Sequence, residues 1–206
     1  MKRPFGLVAL TYFTDFVAAS GLLSRFNVVR DTLGVGFDYW LELRRALVAM
    51  HRDGCGLQVV FDAVENAGDR SENFRESADA YLSWIFGKKV AWFQPTERCW
   101  ETPQLRVTVN PELGLVIEGI PHYVKLYMRK EKLSRRKREA TLELLAITHQ
   151  EEIQRGAVVA VLDVRRQLLH SSTKTPNKRI DAVLEGDAAA FRAILDGLAK
   201  GAIPRR

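Results

Sequence analysis

Cysteine is scarce. Cys55 and Cys99 are the two in 206 residues, and neither belongs to a Cys-x-x-Cys pair. Isolated thiols exclude a disulfide framework and read as a reduced, cytoplasmic chain. The four histidines (His51, His122, His149 and His170) show no His-x-x-x-His or Cys/His spacing, so no structural zinc site is expected. No uninterrupted apolar run reaches the length of a membrane-spanning helix. Lys2 and Arg3 precede an apolar stretch at 5–13, but Pro4, Gly6 and Asp15 interrupt what a secretory leader needs. Repeats, low-complexity tracts, a Walker loop and a Gly-x-Ser-x-Gly elbow are missing. Gly34-Val35-Gly36 continues to Tyr39 where a dinucleotide fingerprint requires glycine.

What remains is an ordinary globular composition, 47% hydrophobic and 27% charged. The length suits one domain and a core that needs no metal or disulfide. Lysine plus arginine number 31 against 25 acids, a net charge of +6 that favours an anionic partner. Of the cations 21 are arginine, whose planar fork matches phosphate or carboxylate.

The first part of the chain reads as helical. Thr14 and Asp15 are placed to cap a short helix ending near Gly21. A helix over 38–52 puts Trp40, Leu43, Leu47 and Met50 on one face, with Gly54 to stop it. A third begins at Ser71 as cap, carries Phe74, Ala78, Tyr81, Leu82 and Ile85, and ends at Gly87. A strand is expected at 90–94 and a hairpin over 105–128. A helix follows from Ser134 to about Arg155, then a strand over 157–164 and a helix from Asp187 to Lys200. The unbroken apolar run Ala-Val-Val-Ala-Val-Leu-Asp-Val at 157–164 suits a strand covered on both faces. Asp163 at its end is placed to meet Arg165 or Arg166, and the four tryptophans read as packing residues. The expected fold is α/β (α+β): a small mixed sheet with a central hairpin, flanked by helices. An N-terminal helical segment, 1–65, precedes and packs on a core of 66–206.

The hairpin carries the clearest periodicity. Val107, Val109, Pro111, Leu113, Leu115 and Ile117 alternate with Thr108, Asn110, Glu112, Gly114, Val116 and Glu118, and the parity flips after the turn to Ile120, Val124, Leu126 and Met128. A two-residue turn at Glu118-Gly119 sets Ile117 opposite Ile120, Leu113 opposite Val124 and Val109 opposite Met128. Glu112 then faces Lys125, and Asn110 faces Tyr127. A two-residue slip moves Glu112 opposite Tyr127 and keeps Lys125 on the same face. Pro111 has no N–H for the ladder, so its strand bulges there or lies at an edge. On a solvated face Glu112 and Lys125 would be a cross-strand ion pair worth about 0.2–1 kcal/mol.

A helix, a hairpin bearing Pro111-Glu112 and then Tyr123-Val124-Lys125, a basic helix and a further strand resemble the PD-(D/E)XK nuclease family over about residues 71–165. The resemblance implies a restriction-endonuclease-like core in which Glu112 binds a divalent metal and Lys125 positions the attacking water or stabilises developing charge. An active member would use Mg²⁺. The chain departs where the second acid belongs: Tyr123 stands there, and a neutral phenol poorly replaces a carboxylate on Mg²⁺. Glu76 or Glu118 would have to supply that acid. The resemblance therefore implies DNA or RNA binding with an incomplete catalytic set (Glu112, Lys125, Tyr123). An active metal-dependent nuclease is the alternative.

The next helix opens on Ser134-Arg135-Arg136-Lys137-Arg138, with Arg129, Lys130 and Lys132 just before it. Four cations in a first turn oppose the helix dipole, at about 0.3–1 kcal/mol each, unless an anion compensates them. Three readings follow. The patch contacts a nucleic-acid backbone, with Tyr127 and Tyr123 as stacking candidates; it is a solvated face balanced by Glu131, Glu139 and Glu143; or it docks an acidic protein partner or headgroup.

Overall fold

The computed structural model describes residues 7–34 and 38–201. The leader-like residues 2–6 and the pair 35–36 lie outside them. Among the described residues no helix is long and apolar enough to cross a membrane, and both cysteines are free.

The chain is mixed α and β. It starts with strand β1 (Leu7–Ala9) and helices α1 (Leu10–Ala18), α2 (Leu22–Asp31), α3 (Leu41–Arg52), α4 (Gln58–Glu65) and α5 (Ser71–Ile85). Strands β2 (Val90–Phe93), β3 (Arg98–Glu101), β4 (Arg106–Val109), β5 (Leu113–Ile117) and β6 (Ile120–Tyr127) follow. Helices α6 (Arg135–Thr148) and α7 (Gln150–Gln154), strands β7 (Val158–Asp163) and β8 (Leu168–Ser172), and helix α8 (Lys178–Ala199) complete it.

Five strands form one sheet in the order β2-β5-β6-β7-β8, with only β6 and β7 parallel among neighbours. A smaller sheet has the order β1-β4-β3. The turn at Glu118-Gly119 forms as expected, both residues left-handed (φ 48° and 85°), and pairs Ile117 with Ile120 and Leu113 with Val124. β7 is buried at all six positions and paired on both edges.

Period two then divides the large sheet cleanly. Leu113, Leu115 and Ile117 join Val124, Leu126, Ala160 and Leu162 on the face covered by α3, α4 and α5. The other face, with Val159 and Tyr123, meets α1, α6, α8 and the small sheet. Residues before 66 enter both cores: Phe13 and Phe16 pack in one, Leu43 and Val60 in the other. Gly114 sits under Phe93, whose carbonyl would overlap any added Cβ.

Several expectations need correction. Thr14 and Asp15 do not cap α1, which already starts at Leu10; Thr14 Oγ1 donates back to Leu10 O at 2.9 Å, inside the helix. Gly21 is the N-cap of α2, a helix that local patterning did not reveal. Arg70 rather than Ser71 occupies the cap of α5, without a side-chain bond. Trp40 caps α3, and α8 starts nine residues before Asp187. Val109 does not face Met128, nor does Asn110 face Tyr127 in a ladder. The chain leaves the large sheet before Pro111, and β4 pairs with β1 and β3 instead. The tryptophans do pack as expected: Trp84 and Trp100 are buried, and Trp40 and Trp92 lie partly buried against the core.

Candidate functional site

Pairing in the small sheet ends at Val109 and pairing in the large sheet starts at Leu113, which leaves Pro111 unpaired between them and Glu112 at the mouth of β5. Lys125, in the middle of β6, reaches it: Nζ lies 2.5 Å from Glu112 Oε1. The same ammonium donates to Asn110 O at 3.1 Å and Asn110 Oδ1 at 3.2 Å, so its three N–H groups are all used. Glu112 Oε2 accepts from Leu126 N at 2.8 Å, and Arg44 Nε approaches Oε1 at 3.8 Å. Both side chains are 10% exposed, so this is a buried pair rather than a solvated cross-strand contact.

A second acid–amine pair stands nearby. Lys137 turns inward from the first turn of α6 and donates to Asp15 Oδ1 at 2.5 Å, while Arg129 takes both Asp15 oxygens at 3.2 and 2.6 Å. Ser134 does cap α6, its Oγ accepting from Lys137 N at 3.2 Å. Burial pushes the Lys137 ammonium below the usual lysine range; Asp15 opposes that, and the charges of Arg129 and Lys125 add to it. Lys125, Lys137, Arg44 and Arg129 line one cavity of about 50 Å³, together with Thr11, Thr14, Tyr127 and Thr141.

The other candidates lie elsewhere. Tyr123 shares its sheet face with Lys125 but packs between Phe93 (5.0 Å) and His149 (4.7 Å). Burial raises its phenol pKa, with Glu152 adding to that, so the ring stays neutral. Glu76, on α5, is paired with Arg165 at 2.6 Å, and Glu118 accepts from Lys89 N in the turn at the far end of β5. Neither joins Glu112, and among the described residues no three His, Cys, Asp or Glu side chains gather into a metal-binding group. Tyr127 has Lys137 Nζ 5.2 Å above its ring, which occupies a face that a base would need.

The basic run is divided. Arg135 pairs with Glu139 at 2.7 Å and Arg136 lies 3.6 Å from Asp187. Glu143 does not balance the patch; it accepts from Asn177 N instead. Lys130 and Lys132 are exposed and Arg138 partly so, and among the described residues none of the three has an ion-pair partner. His170 on β8 feels two of them: burial lowers its pKa first, and Arg138 and then Lys132 push it further down. Asp163 meets Arg166 at 3.3 Å, as its position suggested.

Arg44, Asp15 and Asn110 were not visible as site residues in the sequence. Asp15 lies 122 positions from Lys137, so no local spacing pointed to it.

Two further histidines act on stability. Burial lowers the pKa of His51, bonded to Tyr81 Oη at 2.6 Å, and of His149, whose Nε2 meets Thr96 O at 3.0 Å. Below about pH 6.5 the unfolded chain therefore binds protons that the folded chain resists. Stability is full above that pH and declines as pH falls through it. Urea midpoints at pH 7.5 and 5.5 should show the loss, and His149→Gln should reduce the difference.

No family model, curated protein or solved structure matches the chain.

Proposed function

We propose that this chain is a nucleic-acid-binding protein built on a PD-(D/E)XK-like core with an incomplete catalytic set. The observation that carries the reading is the set of unbalanced cations at the start of α6. Lys130, Lys132 and Arg138 stand there without acidic partners among the described residues, beside a cavity lined by Arg44, Lys125, Arg129 and Lys137. Such cations gain affinity by releasing counterions from a phosphate backbone, whatever the base sequence. The order α5, hairpin, α6, β7 and the Glu112–Lys125 contact support the family resemblance. Binding is favoured over cleavage because Glu112 has both oxygens engaged by cations and an N–H, and Tyr123 is a neutral phenol packed on aromatic rings.

Fluorescence anisotropy with labelled DNA and RNA tests this. Lys130→Glu/Lys132→Glu/Arg138→Glu should weaken binding at least tenfold, with an unchanged urea midpoint because none of these charges holds the core. Wild-type affinity retained by that variant would remove the patch from the interface. Cutting in Mg²⁺ or Mn²⁺ that Glu112→Gln abolishes would establish the active nuclease instead. Absence of binding at low salt would favour a protein partner for the patch.

A further inference from the structure

We infer that the cavity between α1, β6 and α6 is a binding site for a phosphate monoester, with Lys137 as its principal donor; the inference rests on the nucleic-acid reading above. The cavity's charged acceptors are already engaged, while part of its cationic donor capacity is not. Every carboxylate oxygen of Glu112 and Asp15 already accepts from a cation or an N–H. Lys137 Nζ is different: among the described residues it makes one hydrogen bond, to Asp15, and otherwise meets the face of the Tyr127 ring, so it keeps N–H capacity for a ligand. The side chain is only 10% exposed, so its N–H groups have little access to bulk water.

Charge points the same way. Among the described residues four cations face the cavity, and the acids touching them are Glu112, Asp15 and Asp38, which pairs with Arg44. One positive charge is left over, and a second negative group is accommodated by the exposed cations beside it. Arg129, nearly half exposed, connects the cavity to the surface that carries Lys130. A volume of about 50 Å³ holds on the order of three or four waters, the space of one tetrahedral oxyanion and too little for a duplex. A terminal phosphate of a strand lying on the basic patch and a free phosphate share this chemistry.

Isothermal titration of the full chain with inorganic phosphate, and anisotropy with one oligonucleotide carrying either a 5′-phosphate or a 5′-hydroxyl, decide the matter. Phosphate should bind the wild type and bind Lys137→Met at least tenfold more weakly. Arg129→Gln, a surface change that leaves Lys137 on Asp15, should weaken it severalfold. A phosphorylated strand that binds tenfold tighter than its hydroxyl counterpart, with the advantage lost in Lys137→Met, identifies the strand end as the source. Phosphate binding without that preference supports the site and identifies free phosphate. If the hydroxyl strand binds but phosphate does not and the 5′ group has no effect, the cavity site is overturned while the nucleic-acid reading stands. If neither strand nor phosphate binds, both are overturned.

Discussion

Glu112→Ala is expected to lower the unfolding free energy by about 3–5 kcal/mol, because it strands a buried ammonium. Lys125 would keep only the two acceptors of Asn110, Arg44 would lose a neighbouring anion, and the Leu126 N–H would have no acceptor. For a chain of this length the loss corresponds to a drop of roughly 10 °C in melting temperature. Glu112→Leu/Lys125→Met should recover most of it, since removing both charges also removes the desolvation cost that the pair carries. Urea denaturation of the two single variants and the double gives the coupling directly. Additive losses below about 1 kcal/mol each would mean that the pair behaves as an exposed one. This cycle also bears on function: a pair so strongly committed to the fold has little freedom to exchange a lysine for a metal.

The second large effect is expected from Phe191→Ala, at about 3–5 kcal/mol. Phe191 is fully buried on α8, edge-on to Phe16 at 5.1 Å and tilted against Phe13 at 6.3 Å. Phe13 in turn lies 5.5 Å from Trp100 on β3. This aromatic chain ties α1 to the C-terminal helix and to the small sheet, and α1 supplies Thr11, Thr14 and Asp15 to the cavity region. Urea unfolding of the variant should stay a single transition at lower midpoint. Two separated transitions would show that the N-terminal helices fold apart from the rest.

Local pattern carried the hairpin well, because a two-residue turn and period two together leave one register that puts Leu113, Leu115 and Ile117 on one face with Val124 and Leu126. It was also enough for β7, whose unbroken run needs cover on both faces, and for the Ser134 cap. The same period misled at Val107 and Val109. Alternation continues smoothly through Pro111, yet the strand changes partners there, and a side-chain pattern records faces rather than neighbours. β1 has three residues and β8 is a half-exposed edge, so neither offered a run long enough to read. Within the site, Glu112 and Lys125 were legible because one turn joins them. Arg44 and Asp15 arrive from distant helices, and only tertiary packing brings them in. The basic run at 135–138 read as one face, but a helix turns about 100° per residue and sends Lys137 inward while its neighbours face solvent.

The salt dependence of nucleic-acid affinity tests the central proposal most directly. The three cations Lys130, Lys132 and Arg138, one phosphate each, should give a straight line of log affinity against log salt with a slope of about −3 for duplex DNA. Binding too weak to detect at the lowest salt, or affinity that does not change with salt, would contradict it.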